Sequence, residues 1–104
     1  MHRGELWWAD LPAPAGRRPV LLLSREEAYR VRELVIIAPV TTRVRGIPTE
    51  IALDKKDGLP QRSVVNLDTL TTIPKRTLAE RISRLSEAKL RNVDAALKFA
   101  LALE

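Results

Sequence analysis

Hydrophobic and polar residues alternate in short runs along most of the chain. In the first run, Gly4–Asp10, Leu6 and Trp8 fall on one face and Trp7 and Ala9 on the other, which is typical of a β-strand. Trp7 and Trp8 therefore cannot both point into one core. We expect one of them in the core and the other at an interface or against a bound base.

Further short apolar runs, separated by proline, glycine and polar turns, predict more strands. Between the second and third runs, Arg25–Arg32 is polar and is either a loop or one helical turn. A hairpin-type turn is expected at Asp54–Gly58, with Asp57-Gly58 at its tightest point, and a short helix at Lys75–Glu80. The predicted strands after the first are Val20–Ser24, Glu33–Pro39, Thr49–Leu53, Ser63–Ile73 (bending near Asp68) and Arg81–Leu85.

The last part of the chain has the spacing of a helix. Ser86 is a good N-cap residue, and Glu87 suits the positive end of a helix. The apolar stripe that follows predicts a helix packed on the strands or on a partner; its members are Leu90, Val93, Ala96, Leu97, Ala100 and Leu101. The pattern as a whole predicts one β-rich, barrel-like domain over residues 1–104 with a terminal helix.

The amino-acid composition indicates the cellular compartment of the protein. The chain contains no cysteine, which excludes disulfides and thiolate chemistry and fits a reducing cytoplasm. No apolar signal region precedes the first strand. The longest apolar runs, Val20–Leu23 and Leu34–Ala38, are too short to span a bilayer. We therefore expect a cytoplasmic protein without membrane insertion.

The charge is positive and unevenly distributed. The formal net charge is +5, and basic and acidic residues balance from Glu87 onward, so the surplus lies in residues 1–86. Arginine dominates there, and its planar fork suits phosphate oxygens. This distribution favours a polyanionic partner such as RNA.

Several kinds of catalysis lack the residues that they need. His2 is the only histidine, so neither a zinc site nor a Ser-His-Asp triad is expected. No glycine-rich phosphate loop follows a strand, acidic residues are scattered singly, and no metal or other cofactor is expected. RNA cleavage remains possible because RNA supplies its own 2′-OH nucleophile. The protein must align that hydroxyl and stabilise the phosphorane, giving 2′,3′-cyclic phosphate and 5′-OH ends.

Segments along the whole chain resemble the MazF/PemK toxin family in the family's order. Arg3–Leu11 is similar to its first strand and Gly16–Ser24 to its second, which has an arginine before a proline. Val35–Thr42 is similar to the third strand, which ends in proline, a hydrophobic residue and threonine. The remaining matching segments are Ile47–Ile51, Ser63–Asp68, Arg84–Ser86 and the helical Val93–Leu97.

The resemblance implies an α+β, mainly β fold: an SH3-like barrel of the CcdB/PemK type with a C-terminal helix. It implies a homodimeric, sequence-selective endoribonuclease toxin that needs no metal and cleaves single-stranded RNA (mRNA, tRNA or rRNA). It also implies a cognate MazE-like antitoxin whose disordered tail occupies the RNA groove. Arg18 matches the family's catalytic arginine and Thr41 its catalytic threonine, while Ser63, Asp68 and Thr69 fall where relatives contact RNA.

Other positions stay open. Arg17 precedes the catalytic position and could bind phosphate, and Arg43 and Arg45 are either RNA contacts or a solvated charge run. Many relatives have a glutamate in the loop before the arginine, and it is a proposed base in some. Here the loop, Leu11–Gly16, is short and has no carboxylate, so the general base is unassigned.

Two other functions fit a basic barrel of this kind. One is a CcdB-like gyrase poison, which would act through its C-terminal helix and would not need Arg18 or Thr41. The other is an inert RNA-binding SH3-like module, which predicts salt-sensitive binding without turnover.

Overall fold

The structure is a computed structural model that describes all 104 residues. Its seven strands alternate with turns and two α-helices, and the second helix ends the fold. The elements are β1 (Glu5–Asp10), β2 (Arg17–Leu22), α1 (Ala28–Val31), β3 (Leu34–Thr41), β4 (Glu50–Leu53), β5 (Ser63–Asn66), β6 (Thr71–Pro74), β7 (Leu78–Arg84) and α2 (Glu87–Ala100), with short 3₁₀ helices at Lys55–Asp57 and Lys75–Thr77.

All strands pair antiparallel in one curled sheet of order β4-β5-β3-β2-β1-β7, and β6 also pairs with β3. The predicted barrel-like, mainly β fold with a C-terminal helix is confirmed. No helix in the structure has both the length and the apolar character needed to cross a membrane.

The sheet buries both of its faces because apolar residues occupy successive positions in its central strands. In β2, Leu21 packs into a core cluster that also contains Val93 of α2. The neighbouring Val20 and Leu22 pack into a second cluster with Tyr29 of α1. A strand with apolar side chains on both faces must lie between two layers, and β2 lies between the two helices.

Helix α2 begins as predicted, with the Ser86 hydroxyl accepting a hydrogen bond from the backbone N–H of Lys89 at 3.2 Å. Val93 is fully buried in the first core cluster, and Leu90 and Leu97 pack against it. The predicted stripe is wrong at its end, because Leu101 lies beyond the helix and is 52% exposed.

The connection between β4 and β5 differs from the predicted hairpin turn. It is a nine-residue loop whose 3₁₀ helix is held by a capping box between Asp54 and Asp57. Asp57 is buried and paired with Lys89 of α2, while Gly58 closes the turn at φ 89°. A helix contact therefore fixes this loop, and a local turn motif could not reveal it.

The single strand predicted over Ser63–Ile73 is two strands. β5 pairs with the end of β3, where Thr41 faces Val64, whereas β6 pairs with its beginning, where Leu34 faces Pro74. The chain must turn between them to follow the same partner strand. The short helix predicted at Lys75–Glu80 is only one 3₁₀ turn, because β7 begins at Leu78 and pairs with β1.

The N-terminus is fastened through Glu5, a buried carboxylate on β1. Its oxygens accept hydrogen bonds from the backbone of His2, from Trp7 Nε1 and from Arg81 Nε on β7, at 2.8–3.0 Å. Burial raises the pKa of Glu5, but these hydrogen bonds and the charge of Arg81 outweigh it and lower the pKa to about 2. His2 also contacts Glu26 through Nδ1 at 2.9 Å.

Candidate active-site groove

The strand pairing brings Arg18 and Thr41 to the same end of the sheet. In the antiparallel β2–β3 pair, Leu22 faces Ile37 and Val20 faces Pro39. Arg18 comes two residues before Val20 and Thr41 two residues after Pro39, so both lie just beyond the paired part of these strands. An arginine and a threonine far apart in sequence therefore border one groove.

A groove of about 260 Å³ lies over this pair. Four of the predicted site residues line it: Arg17, Arg18, Thr41 and Ser63. The other lining residues are Trp8, Ala15, Pro19, Val40, Thr42, Leu59, Pro60 and Gln61. The lining therefore supplies guanidinium, hydroxyl and amide groups beside apolar surface, and it contains no carboxylate and no imidazole.

Arg18 is exposed and has no carboxylate partner. Its Nε donates a hydrogen bond to the carbonyl oxygen of Ala15 at 2.7 Å. Ala15 belongs to the short proline-rich turn before β2, which is closed by Leu11 N–H donating to Gly16 O at 3.1 Å. The turn thus orients the guanidinium and leaves its two terminal nitrogens available to an anion.

Arg17 is in a different electrostatic state, although it borders the same groove. Its terminal nitrogens contact Asp10 at 3.1 Å and Glu80 at 3.4 Å, and its guanidinium lies 5.7 Å from the ring centre of Trp8. Two carboxylates offset its charge, so Arg18 is the guanidinium that is free to hold a phosphate.

Thr41 is the last residue of β3 and is half-buried. Its Oγ1 accepts a hydrogen bond from the backbone N–H of Arg43 at 3.1 Å. The hydroxyl proton has no partner in the structure, so Thr41 can donate to an anion in the groove.

Arg43 and Arg45 follow Thr41 in an exposed loop and do not line the groove. The carboxylate of Glu50 accepts from the backbone N–H groups of Arg45 and Gly46, both at 2.9 Å. This contact holds the backbone of the loop and leaves both guanidinium groups without a carboxylate partner. The loop therefore extends positive charge from one end of the groove.

Ser63 is buried, and its hydroxyl donates to the carbonyl oxygen of Gln61 at 3.0 Å. Gln61, Pro60 and Thr42 also line the groove, although no motif in the sequence predicts them there. The signal available for Gln61 was its position just before the strand that contains Ser63, although that position alone does not place it in a site.

Asp68 and Thr69 lie outside the groove lining, in the turn between β5 and β6. One carboxylate oxygen of Asp68 accepts from the Thr49 hydroxyl at 2.7 Å, and its backbone N–H donates to Asn66 Oδ1 at 2.9 Å. Thr69 N–H donates to the carbonyl of Asn66 at 3.4 Å. In this structure both residues stabilise the turn.

Trp7 and Trp8 have different environments, as the alternating strand pattern predicted. Trp7 packs against the second core cluster and donates to Glu5. Trp8 is half-buried and lines the groove. Leu6 and Ala9 lie on opposite faces of β1 and are both fully buried, because the first core cluster covers one face and the second core cluster the other. No group of three or more histidine, cysteine, aspartate or glutamate side chains is close enough to hold a metal ion.

Comparisons with known proteins agree on one family. Residues 2–101 match the model of the PemK-like, MazF-like toxins of type II toxin–antitoxin systems. Over 100 residues the chain is 39% identical to the probable endoribonuclease MazF5 of Mycobacterium tuberculosis, covering 95% of this chain and 91% of that protein.

Solved structures give the same result. The Mycobacterium tuberculosis toxin MazF-mt6 superposes with a TM-score of 0.89 at 36% identity, over 96% of this chain and 98% of that one. A mycobacterial endoribonuclease solved in complex with its cognate antitoxin has a TM-score of 0.88 at 30% identity, over 100% and 97% of the two chains.

Proposed function

Because the chain belongs to the family of PemK-like, MazF-like toxins of type II toxin–antitoxin systems, we propose that Arg18 and Thr41 carry its RNA cleavage. The chain is an endoribonuclease toxin, and its relatives bear that activity in their names. The supporting observation is that an unpaired guanidinium and a free hydroxyl donor line the same groove, at the neighbouring ends of β2 and β3.

In the proposed reaction, a ribose 2′-oxygen attacks the adjacent phosphorus. The bond from O2′ to phosphorus forms, the bond from phosphorus to O5′ breaks, and the proton lost from the 2′-OH is balanced by one gained at O5′. The products are a 2′,3′-cyclic phosphate and a 5′-OH end. Negative charge grows on the phosphorane oxygens, so donors fixed beside them stabilise the transition state more than the substrate.

Arg18 and Thr41 have separate roles in this scheme. The terminal nitrogens of Arg18 hold the phosphorane oxygens with a charge that does not titrate. The hydroxyl of Thr41 donates to one phosphate oxygen and fixes its orientation, since its oxygen is itself held by Arg43 N–H. Neither role requires a metal ion, and we expect cleavage in the presence of excess chelator.

The general base remains unassigned, and this has a measurable consequence. No carboxylate and no imidazole lines the groove. We therefore expect the logarithm of the cleavage rate to rise with pH between about 5 and 8 without the plateau that a carboxylate or histidine base gives once it is deprotonated. A rise that levels off above an apparent pKa of about 4 to 6 would show that a residue outside the lining acts as the base.

The lining favours one strand of RNA over a duplex, because its amide and its tryptophan ring can contact a base only when that base is turned out of a helix. Arg43 and Arg45 extend positive charge beyond one end and would hold the neighbouring phosphates. The same positive groove would accept the tail of a cognate antitoxin in the cytoplasm, as relatives have been solved with theirs.

We also expect a homodimer. Val31, Leu34 and Ile36 are 45–68% exposed near the start of β3, and Phe99 and Leu101 are 52–66% exposed at the end of α2. Apolar clusters of this kind on a small protein mark an interface. Light scattering on Ile36→Lys and Phe99→Lys identifies which cluster is buried between the copies. A monomeric wild-type protein at micromolar concentration would contradict the dimer.

The decisive experiment compares Arg18→Ala with Arg18→Lys and Arg30→Ala. Arg30 is a matched control, because it is exposed on α1 without an ion-pair partner and outside the groove. Arg18→Ala should slow RNA cleavage by roughly 10³-fold or more. Arg18→Lys keeps the charge but loses the planar fork, so its rate should lie between those of the wild type and Arg18→Ala.

The free energy of unfolding of Arg18→Ala, measured by thermal denaturation, should stay within about 1 kcal/mol of the wild-type value, because the lost contact is exposed. If Arg18→Ala protein cleaves RNA at the wild-type rate, Arg18 does not take part in the mechanism. Intact RNA with wild-type protein and inhibited DNA supercoiling would favour the gyrase poison instead, and RNA binding without turnover would favour the inert module.

A further inference from the structure

The side of the groove away from Arg18 is formed by the loop before β5. β3 lies between β2 and β5 in the sheet, and Thr41 pairs with Val64, so one step further places Thr42 beside Ser63. Arg18 and the lining residues Leu59, Pro60, Gln61 and Ser63 thus flank the end of β3 from opposite sides. The loop also carries Arg62, which does not line the groove. A nucleotide held over Thr41 would lie between a charged side and these uncharged lining residues.

The loop is built to hold Gln61 in a fixed place. Leu59 is 3% exposed in the first core cluster, which anchors the chain two residues before it. Pro60 then restricts the backbone. On the other side, the buried Ser63 hydroxyl donates to the Gln61 carbonyl at 3.0 Å. The backbone of Gln61 is therefore positioned before any ligand arrives.

The side chain of Gln61, by contrast, is exposed and makes no hydrogen bond, and it is the only primary amide in the lining. Guanidinium and hydroxyl groups recognise phosphate, which every nucleotide carries, and so they cannot distinguish bases. An amide offers one donor and one acceptor side by side, a pattern that fits the edge of some bases and not others. Trp8, the only aromatic residue of the lining, offers a surface for base stacking.

We propose that Gln61 reads the edge of one nucleobase next to the scissile phosphate and so sets part of the cleavage specificity. This inference rests on the proposed cleavage mechanism. Adenine is the expected base, because its N6 amino group and N7 acceptor match the carbonyl and amino groups of a glutamine amide. Guanine presents two acceptors on the same edge, which leaves the Gln61 carbonyl without a donor.

The test maps cleavage sites on a randomised single-stranded RNA library by sequencing the fragments with 5′-OH ends. Wild-type protein should prefer adenine at one position beside the cut. Gln61→Ala should reduce that preference by roughly 5- to 100-fold and leave the other positions unchanged. Asn92→Ala is the matched control, since Asn92 is an exposed amide on α2 outside the groove, and it should keep the wild-type profile.

Two further variants separate base reading from general effects. Gln61→Glu keeps the size of the side chain but loses its donor, so it should also weaken the adenine preference. Trp8→Leu should slow cleavage of all sequences to a similar extent, because stacking is tolerant of base identity. Tm measurements on each variant confirm that it is folded.

Three results would overturn the inference: an unchanged base profile in Gln61→Ala, an equal loss for every sequence, or a wild-type protein without preference beside the cut. Complete loss of cleavage by folded Gln61→Ala also counts against it, because an edge reader leaves Arg18 and Thr41 intact. The proposed mechanism fails separately, if Arg18→Ala protein cleaves like the wild type.

Discussion

Replacement of Glu5 by glutamine tests how the chain fastens its first strand. Glu5 is 5% exposed, and its two oxygens accept hydrogen bonds from the backbone of His2, Trp7 Nε1 and Arg81 Nε. All three partners are donors. An amide has only one oxygen, so whichever way the substituted side chain is turned, its NH₂ group faces at least one donor, and the charge that attracts Arg81 is lost.

The size of the effect follows from the lowered pKa. The folded-state pKa of Glu5 is about 2 against an ordinary 4.5. Because each unit corresponds to about 1.4 kcal/mol, the ionised carboxylate contributes about 3 kcal/mol to the free energy of unfolding at neutral pH. For a domain of this size, that loss lowers Tm by roughly 12 to 24 °C.

The pH dependence gives the sharper test. A lowered folded-state pKa provides stability that is complete above the unfolded pKa, here 4.5, and is lost as the pH falls towards 2. Other carboxylates also titrate in this range, so the quantity to follow is the difference between wild type and Glu5→Gln. That difference should be constant above pH 6 and should shrink by about 1.4 kcal/mol per unit below about 4.5.

Urea denaturation of wild type and Glu5→Gln between pH 2.5 and 7.5 measures the difference in their free energies of unfolding. Glu80→Gln is the control, because the Glu80 side chain is 70% exposed and its contact with Arg17 is worth at most about 1 kcal/mol. If the difference for Glu5→Gln is the same at pH 3 as at pH 7, the stabilisation does not come from the ionised carboxylate and the reasoning is wrong.

The remaining predictions concern the groove and the loop that borders it. Thr41→Val removes the hydroxyl at similar volume and should reduce the cleavage rate by about 10²-fold in single-turnover assays, whereas Thr41→Ser should retain most of it. Gly58→Ala should lower the free energy of unfolding by about 1 to 3 kcal/mol in urea titrations, because φ is +89° there and the new Cβ would lie 2.9 Å from Ile82 Cγ2. Lys89→Met leaves the buried carboxylate of Asp57 without its cation and should cost about 2 to 4 kcal/mol in the same titrations; an unchanged midpoint for either variant would contradict these contacts.

Much of the fold was available in the sequence because the signals are local. The alternation in Gly4–Asp10, the β-branched run before Pro39 and the capped, three-and-four spacing after Ser86 each specify one element from near neighbours. All three are present with nearly the predicted bounds. The motifs around Arg18 and Thr41 likewise selected the two residues that line the groove together.

Other features depend on contacts between residues that are distant in sequence. The split of Ser63–Ile73 into two strands follows from pairing with both ends of β3, and the loop after Asp54 is shaped by a lysine on α2. Neither contact produces a pattern of hydrophobic and polar residues that could be recognised in the local sequence.

The sequence by itself determined which elements form and which side chains are suited to the chemistry. It could not distinguish Arg17 from Arg18 by charge, since both are arginines in one run. Only the tertiary structure did so, because folding brings Asp10 and Glu80 to Arg17 and leaves Arg18 without a carboxylate. The physical reason is that local propensity fixes backbone elements, whereas the electrostatic state of a side chain depends on which distant residues the sheet places beside it.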